Sequence, residues 1–541
     1  MVEVTWPAPA TAVLIVLVMA LVLVGVAAAV LVSRARGRRS RVDAAARHMG
    51  RGRDLGDLGT KRATDKATRL GVGTGPGLVI AATVAGDQLL YQSWEDVSVD
   101  IWGPRTGKTT SRAVPAILAA PGAVVATSNK RDLADATRNV RAEAGPVWVF
   151  DPQGIVDEPP TWWWNPLSYV TDEVKATVLA EVFAAASRDP GARTDAYFEP
   201  AGRDLLANLL LAAALDARSI TQVYLWVTRP TDDEPAAILR THGYPLNAAS
   251  VEEVVNMHDK QRGGVYGTAK QTVAFLTNRQ ALGWVTPDTG TIKRREFVPA
   301  DFVRSRGTLY SLSKEGLGSA GPLVTALTVA VCEAAEDLAK RSPGGRLPVP
   351  MVAVLDEAAN VCRWRDLPNL YSHYGSRGIV MMTILQSWSQ GVEVWGREGM
   401  RKLWSAATIK VYGGGVDERE FLSNLSELIG DVDLEQTTTS HGKGGRSTSR
   451  STRRERILDV ADLGALPKGR AIVFASGARP TLARTLPWMD SPHAEAVKAS
   501  IRAHDPAADH TLTEARDSLH DVHKHEAPVP AAGSNPWVSA P

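Results

Sequence analysis

The sequence contains little cysteine and no excess of charge of either sign. Only two cysteines, Cys332 and Cys362, occur in 541 residues, and neither stands at the spacing of a metal-binding motif. A disulfide framework or a zinc site is therefore not expected, and a reducing cytosol is the natural compartment for most of the chain. The formal net charge is only +2, which excludes a histone-like protein that binds nucleic acid over its whole surface.

Long uncharged runs are also scarce, but one is long enough to cross a membrane. Residues Thr11–Val32 carry no charge and consist almost entirely of Ala, Val, Leu and Ile, enough for a helix across the ~30 Å hydrocarbon core. Before this run the only charged side chain is Glu3, whereas a cluster of arginines follows it: Arg34, Arg36, Arg38, Arg39 and Arg41. The positive-inside rule then places the N-terminus outside and the rest of the chain in the cytoplasm. A cleaved signal peptide is the alternative, but it needs a basic start and a shorter apolar run.

These features predict a membrane anchor followed by a linker. We expect an extracytoplasmic N-terminus at 1–10, a transmembrane helix at 11–33, and a basic juxtamembrane segment with a polar, glycine-rich linker at 34–76. The apolar segment Leu78–Val84 is too short for a second span.

Beyond the linker, short apolar runs alternate with longer helical patterns, as is typical of a parallel α/β sheet. The predicted strands are Val97–Ile101, Gly122–Thr127, Val147–Phe150, Thr308–Leu312, Met351–Leu355, Ile379–Leu385 and Thr408–Tyr412.

Two regions depart from this alternation. The range 169–291 has helical periodicity, for example Leu205, Leu206, Leu209 and Leu210, and predicts an all-helical insertion. The α/β domain is then formed in two parts, 77–168 and 292–490. Residues 491–541 contain few large apolar side chains and predict a disordered tail.

The first motif with a chemical role is WGPRTGKTT at Trp102–Thr110, after a predicted strand and before a helical pattern. A phosphate-binding loop needs this context, because N–H groups at a helix N-terminus face the anion. Lys108 would reach the β- and γ-phosphates, and Thr109 would bind magnesium. The strict pattern has glycine where this chain has Trp102, and a glycine-rich turn without a ligand is the alternative. The predicted nucleotide-binding residues are Gly103, Pro104, Arg105, Thr106, Gly107, Lys108, Thr109 and Thr110.

The second motif is the apolar strand Met351–Leu355 followed by Asp356 and Glu357. A buried parallel strand has this pattern, and α/β sheets place ligands at its carboxyl end. Asp356 would hold hydrated magnesium, and Glu357 would orient or deprotonate the attacking water. A strand followed by an acidic helix start is the alternative, but two motifs in the right order predict an ATP site.

A third polar group follows the strand Ile379–Leu385 at Gln386. A side chain at this position can contact the γ-phosphate or the water. Alternatively, Gln386 caps the following helix.

Together these motifs resemble the conjugative coupling proteins of type IV secretion (TraG/TraD type), which are membrane-anchored relatives of the FtsK and HerA motor ATPases. The resemblance covers about Leu89–Pro487. The matching pieces are Gly103–Thr110, Val147–Pro152 (VWVFDP), Trp164–Leu167 (WNPL), Leu355–Asn360 (LDEAAN), Arg377–Ile379 (RGI) and Ile384–Ser387 (ILQS).

The resemblance implies a RecA-like P-loop core, ATP and magnesium as cofactors, and a homohexameric ring at the cytoplasmic membrane. It also implies that the ring passes relaxase-bound DNA to a type IV channel and that the helical insertion engages the relaxosome. In a ring, a neighbour can supply a cation to the γ-phosphate. Arg377, just ahead of the strand Ile379–Leu385, is the candidate, with pairing to Asp366 as the alternative.

DNA contact is predicted at the segment Thr437–Arg456, which is rich in Ser, Thr, Gly and basic residues and has Glu455 as its single acid. Its basic side chains are Lys443, Arg446, Arg450, Arg453, Arg454 and Arg456. A flexible loop of this kind grips phosphates without reading bases, and a solvated surface loop is the alternative. The triplet Trp162–Trp164 is interpreted as packing or a partner surface, and His520–His525 as tail.

Two other functions remain open from the sequence. The chain could be a protein-export motor of the type VII kind, although such motors usually carry several tandem ATPase modules and this chain shows one. It could also be a nucleotide-binding scaffold without turnover, which the presence of Lys108, Asp356 and Glu357 argues against.

Overall fold

The computed structural model describes residue 19 and residues 40–187, 195–288, 293–316, 319–442 and 445–523. Apart from Met19, the predicted transmembrane helix therefore lies outside the described residues. Within those ranges, no helix has the length and apolar character needed to span a bilayer.

A large mixed sheet forms the centre of the molecule. In the described residues the strands are β1 Leu78–Thr83, β2 Leu89–Gln92, β3 Ser98–Ile101, β4 Val124–Ser128, β5 Val147–Phe150, β6 Trp162–Trp163, β7 Arg295–Glu296, β8 Thr308–Leu312, β9 Met351–Leu355, β10 Ile379–Leu385, β11 Ile409–Tyr412, β12 Asp431–Gly442, β13 Gly445–Arg456, β14 Arg470–Ala475 and β15 Thr481–Arg484. Eleven of them form one sheet in the order β2-β1-β15-β14-β11-β3-β10-β9-β4-β8-β5.

The seven strands from β11 to β5 are parallel, and they are the seven that the sequence predicts. Every residue of β9 and β10 is buried. This burial on both faces explains their continuous apolar runs. The other four strands pair antiparallel, so the predicted parallel sheet is a mixed sheet with a parallel majority.

Helices cover the sheet and form the insertion. The α-helices are Arg41–Ala45, Thr60–Arg69, Val114–Ala119, Asp132–Ala142, Glu173–Ser187, Phe198–Leu215, Ile220–Val227, Glu234–Thr241, Pro245–Val255, Asp259–Thr272, Arg279–Val285, Pro299–Phe302, Gly321–Lys340, Ala358–Val361, Leu367–Arg377, Trp388–Ala406, Arg419–Ile429, Val460–Gly464, Ala494–His504 and Ala508–His523. A π-helical turn spans Thr109–Ala113. Short 3-10 helices span Ala46–His48, Gly52–Leu58, Pro166–Tyr169, Ala274–Thr277, Pro343–Gly345 and Trp488–Asp490.

The helical insertion leaves and rejoins the sheet through aromatic packing. The short strands β6 and β7 pair at its two ends. Trp162 makes ring contacts with Trp148, Trp284 and Phe297 at centroid distances of 5.2–5.5 Å. Edge-to-face and tilted contacts of this kind stabilise a core beyond the area they bury. Trp162 and Trp164 are buried, so their part in the tryptophan triplet is packing.

The segment predicted as a linker is folded against the sheet where it is described. Thr60–Arg69 is a helix, and Leu55 and Leu58 are buried. Asp43 forms a buried ion pair with Arg470 of β14 at 2.7 Å. The glycine content of the segment suggested flexibility, but its few apolar residues lie where they can cover the antiparallel end of the sheet.

The prediction of a disordered tail is wrong for residues 494–523. The helix Ala494–His504 packs on the helix Asp132–Ala142, and Ser500 Oγ donates to the Asp135 carbonyl at 2.6 Å. Val497 and Ile501 are buried at a spacing of one helical turn. Few apolar residues suffice here because the face they form is narrow. Residues 524–541 lie outside the described part of the chain.

The buried ion pair predicts a stability defect. Asp43→Asn should lower the free energy of unfolding by about 3–5 kcal/mol, because it removes the buried carboxylate charge that faces the Arg470 guanidinium. Asp57→Asn is the matched control, since the Asp57–Arg62 pair (3.0 Å) is mostly exposed and should contribute at most about 1 kcal/mol. Urea unfolding of the two variants and the wild-type chain compares these losses, and equal losses would contradict the assignment.

Candidate nucleotide-binding site

The predicted motifs meet at the carboxyl edge of three neighbouring strands. β10 lies between β3 and β9 and is parallel to both, with Leu385 opposite Ile101 and Thr383 opposite Leu355. The loop Gly103–Thr110 follows β3, the two acids follow β9, and Gln386 follows β10. Parallel strands end at one edge, so residues distant in sequence become neighbours.

Lys108 carries the positive charge of this edge. Its ammonium lies 3.3 Å from Asp356 Oδ1 and forms an ion pair and hydrogen bond with Glu357 Oε1. Burial disfavours the charged ammonium, but the charges of Asp356 and Glu357 outweigh burial and raise the pKa of Lys108. Lys108 is therefore a cation held between two carboxylates, at the place where the loop motif requires a phosphate-binding lysine.

Asp356 is a buried carboxylate with an oxygen available to a ligand. Burial raises its pKa to about 6, while the charge of Lys108 opposes the shift. Its carbonyl accepts a hydrogen bond from Thr127 Oγ1 at 3.0 Å. Its Oδ1 is paired with the Lys108 ammonium at 3.3 Å but accepts no well-aligned hydrogen bond from a described residue.

A magnesium ion fits these residues. Divalent magnesium prefers oxygen ligands, usually one or two protein groups together with phosphate and water. Asp356 supplies such an oxygen, and Thr109 begins the π-helical turn directly after Lys108. No cluster of three or more His, Cys, Asp or Glu side chains in the described ranges is arranged to hold a metal. A magnesium ion here would thus depend on the nucleotide phosphates.

Glu357 is held on both carboxylate oxygens. Gln386 Nε2 donates to Oε1 at 2.7 Å, and Asn360 Nδ2 donates to Oε2 at 3.2 Å. The Glu357 backbone is left-handed, with φ of 55°, a costly conformation that clusters at functional sites. The sequence predicted Glu357 and Gln386 but no role for Asn360 or Thr127. Asn360 stands three residues after Glu357, a helical spacing that could have identified it.

Trp102 occupies the position of the first glycine in the strict loop pattern. Glycines in the turn that follows β11 leave space for its side chain. Trp102 is buried, and a Cβ at Gly413, just after β11, would overlap its indole ring. Gly103 N donates to the Gly414 carbonyl at 2.9 Å, and a Cβ at Gly103 would overlap Gly415. The turn Gly413–Gly415 therefore supports the loop from the side opposite Gln386.

Within the loop, backbone and hydroxyl contacts fix the turn into the helix. Arg105 and Gly107 have left-handed backbones. Thr106 Oγ1 donates to the Gly103 carbonyl at 2.5 Å, and Thr110 Oγ1 donates to the Gly107 carbonyl at 3.1 Å. The Pro104 and Arg105 side chains are exposed.

Arg377 does not lie at this edge of its own chain. It ends the helix Leu367–Arg377 at the amino end of β10, opposite the end that carries Gln386. Its Nη1 donates to the Gly345 carbonyl at 3.1 Å. Asp366 accepts a hydrogen bond from Asn369, so the contacts in the described residues do not favour the alternative pairing of Arg377 with Asp366.

Known proteins share the architecture and part of the sequence. Residues 350–468 match the family described as the TraM recognition site of TraD and TraG. The bacterial conjugative coupling protein TrwBΔN70, in its unbound monoclinic form, matches with a TM-score of 0.54 and 17% identity over 75% of this chain and 88% of the other. No curated protein sequence matches the chain.

The chain resembles the TraG/TraD-type coupling proteins. Two further structures of the plasmid coupling protein TrwB match, one with ADP and Mg²⁺ and one with the GTP analogue GDPNP. Each has a TM-score of 0.54 and 17% identity over 75% of this chain and 89% of TrwB. At this identity the structures establish the fold. Within the TraG/TraD-like range 350–468 lie Asp356, Glu357, Gln386 and the turn Gly413–Gly415.

The same range contains the basic segment, which forms a hairpin where a flexible loop was predicted. β12 and β13 pair antiparallel from Asp431↔Arg456 to Gly442↔Gly445. Alternating Ser and Thr side chains suit a strand as well as a loop, which explains the error. At its base, Asp431 pairs with Arg454 at 2.9 Å and with Arg456 at 3.0 Å. Arg450, farther along, is exposed and makes no ion pair with a described residue.

The contact between Trp102 and the glycine turn predicts a steric effect. Gly413→Ala should destabilise this TraG/TraD-like chain by about 1–3 kcal/mol, because the new methyl group overlaps the indole, and should weaken nucleotide binding. Combined with Trp102→Ala, the loss should be smaller than the sum of the two single losses.

Thermal unfolding and titration with a fluorescent nucleotide measure both effects. Gly263→Ala is the control, since Gly263 lies in a helix with open space around it and alanine there should be neutral or stabilising. Additive losses in the double variant would show that Trp102 and Gly413 act independently.

Proposed function

We propose that this chain is a membrane-anchored ATPase motor that couples ATP hydrolysis to the transfer of relaxase-bound DNA into a type IV conjugation channel. The convergence of Lys108, Asp356, Glu357 and Gln386 at one sheet edge carries the proposal. A cation for phosphate, a carboxylate for magnesium and a carboxylate for water are the groups that phosphoryl transfer to water requires.

The proposed roles follow from the geometry. Lys108 exchanges Glu357 for the β- and γ-phosphates, and the loop Gly103–Thr110 surrounds the phosphates with backbone N–H groups. Asp356 and Thr109 would hold magnesium, which would neutralise phosphate charge. Glu357 accepts a proton from the attacking water, and Gln386 holds Glu357 or contacts the γ-phosphate. TrwB, which shares the fold, has been solved with ADP and Mg²⁺, which supports ATP and magnesium as cofactors.

The proposal includes a homohexameric ring in which Arg377 acts on the neighbouring nucleotide. Arg377 lies at the opposite end of β10 from the site of its own chain, as a group that acts in trans would. The N-terminal run Thr11–Val32 would anchor the ring in the cytoplasmic membrane, and the insertion would contact relaxosome proteins. The match to the TraM recognition site supports a relaxosome protein as a partner, although the matched range 350–468 lies outside the insertion.

The basic hairpin is the proposed DNA contact. A basic hairpin grips phosphates without reading sequence. The alternative function, a protein-export motor of the type VII kind, is less favoured, because the matching structures are conjugative coupling proteins. ATPase rates measured without DNA, with single-stranded DNA and with double-stranded DNA test the proposal. A rate that neither form of DNA changes would contradict a DNA motor.

Two substitutions separate nucleotide binding from hydrolysis. Lys108→Ala should abolish or strongly weaken ATP binding, because it removes the phosphate contact. Glu357→Gln should bind ATP but lower kcat by about 10²–10⁴-fold, since only the proton acceptor is lost. Binding is measured with a fluorescent nucleotide and turnover by phosphate release. Normal turnover in Glu357→Gln would assign the water-activating role to another residue.

The hairpin predicts a salt-dependent effect on DNA binding. Arg450→Ala should weaken binding of any sequence and reduce the log–log salt slope by about one unit, because one phosphate contact is lost. Arg454→Ala is the matched control on the same strand, since Asp431 already neutralises its guanidinium, and it should change the slope less. Fluorescence anisotropy at several salt concentrations compares them. An unchanged slope in Arg450→Ala would make the hairpin a surface element only.

A further inference from the structure

The Glu357 carboxylate, buried with 5% of its side chain exposed, has three donors of two kinds. Lys108 and Gln386 both donate to Oε1. Asn360 donates to Oε2 at 3.2 Å and is the one donor to this oxygen among the described residues. The two oxygens of one carboxylate are therefore held by different parts of the chain.

Asn360 reaches this position because of the local backbone. The left-handed conformation of Glu357 starts the short helix Ala358–Val361. Asn360 N donates to the Glu357 carbonyl at 2.9 Å, so the residue folds back over Glu357 and its amide faces the carboxylate. Asn360 therefore donates two hydrogen bonds to Glu357, one from its backbone N–H and one from its side-chain amide.

A phosphate changes the balance among these donors. A bound β- or γ-phosphate competes for the Lys108 ammonium, and Glu357 then loses the one cation that pairs with it among the described residues. Gln386 stays on Oε1, and Asn360 stays on Oε2. A neutral amide suits this place, because it holds a carboxylate without adding a charge that would compete with the proton of the attacking water.

We infer that Asn360 is a positioning residue that keeps the Glu357 carboxylate oriented toward the water once Lys108 has moved to the phosphate. The inference rests on the proposed ATPase function and adds a residue to it. The competing explanation is structural: the Asn360 side chain only stabilises the first turn of the helix Ala358–Val361. The two explanations differ in whether Asn360 acts through the Glu357 carboxylate.

The test is a double-mutant cycle on the full chain. Asn360→Ala and Asn360→Leu are compared with wild type, alone and combined with Glu357→Gln. Leucine branches at the same carbon as asparagine and carries no charge, so Asn360→Leu removes the donor with little change in shape. Asn247→Ala is the control, because Asn247 is also partly buried and donates from its amide, to Asn208 at 2.8 Å, but it lies in the helical insertion.

Both Asn360 variants should lower kcat by about 10–100-fold, the size found for groups that orient a metal ligand, with the Kd for a fluorescent nucleotide and the melting temperature close to wild type. In the Glu357→Gln background, Asn360→Ala should cause no further loss in single-turnover hydrolysis, because its effect acts through the carboxylate. Asn247→Ala should keep the wild-type kcat.

Each other outcome contradicts a specific claim. A wild-type kcat in either Asn360 variant, or the same fold-loss with and without Glu357→Gln, would overturn the positioning role. A fall in melting temperature that accounts for the lost kcat would assign Asn360 to structure. If wild-type protein hydrolyses no ATP with or without DNA, the proposed function itself fails, and the inference fails with it.

Discussion

Two adjacent buried carboxylates constrain the rest of this structure. Asp356 and Glu357 have side chains only 4% and 5% exposed, and two like charges removed from water repel each other and lose hydration. The ammonium of Lys108 compensates both. Because Lys108 and Glu357 are 249 positions apart, this compensation requires the loop after β3 to stand beside the end of β9. The single strand β10 sets the separation between them.

The loop departs from the strict pattern without losing this arrangement. A large indole at Trp102 would displace the loop Gly103–Thr110 unless the segment packed against it had no side chains. The turn Gly413–Gly415 of the same chain has none, and its backbone accepts a hydrogen bond from Gly103. A change that looks unfavourable in the motif alone is therefore matched by three glycines more than 300 residues later. The loop after β3 and the turn after β11 fit together because the Trp102 indole fills the space that a side chain at Gly413 would occupy.

The parts of the fold that the sequence predicts are those determined by local burial. The seven parallel strands consist mostly of apolar residues, and every residue of β9 and β10 is buried, so their runs are visible without knowledge of their partners. β1, β2, β14 and β15 were missed, since their pairing joins the start of the domain to its end. The folding of the linker and tail likewise depends on surfaces supplied by distant strands and helices. Lys108 was predicted from the loop motif after a predicted strand, and Asp356, Glu357 and Gln386 because they come at the ends of predicted strands. Asn360 was missed because its spacing of three residues from Glu357 indicates a contact only if a helical turn starts there, and that turn starts from the left-handed backbone of Glu357.

β10 gives the proposed ring a physical route between neighbouring sites. All seven residues of the strand are buried, and it spans about 20 Å. Gln386 at its carboxyl end holds the carboxylate of its own site, and Arg377 stands at its amino end, where the proposed ring places the neighbouring nucleotide. A packed strand transmits a displacement because a close-packed interior has no space to absorb it. A shift of Gln386 would thus be passed along one rigid element to the end of the strand at which Arg377 lies.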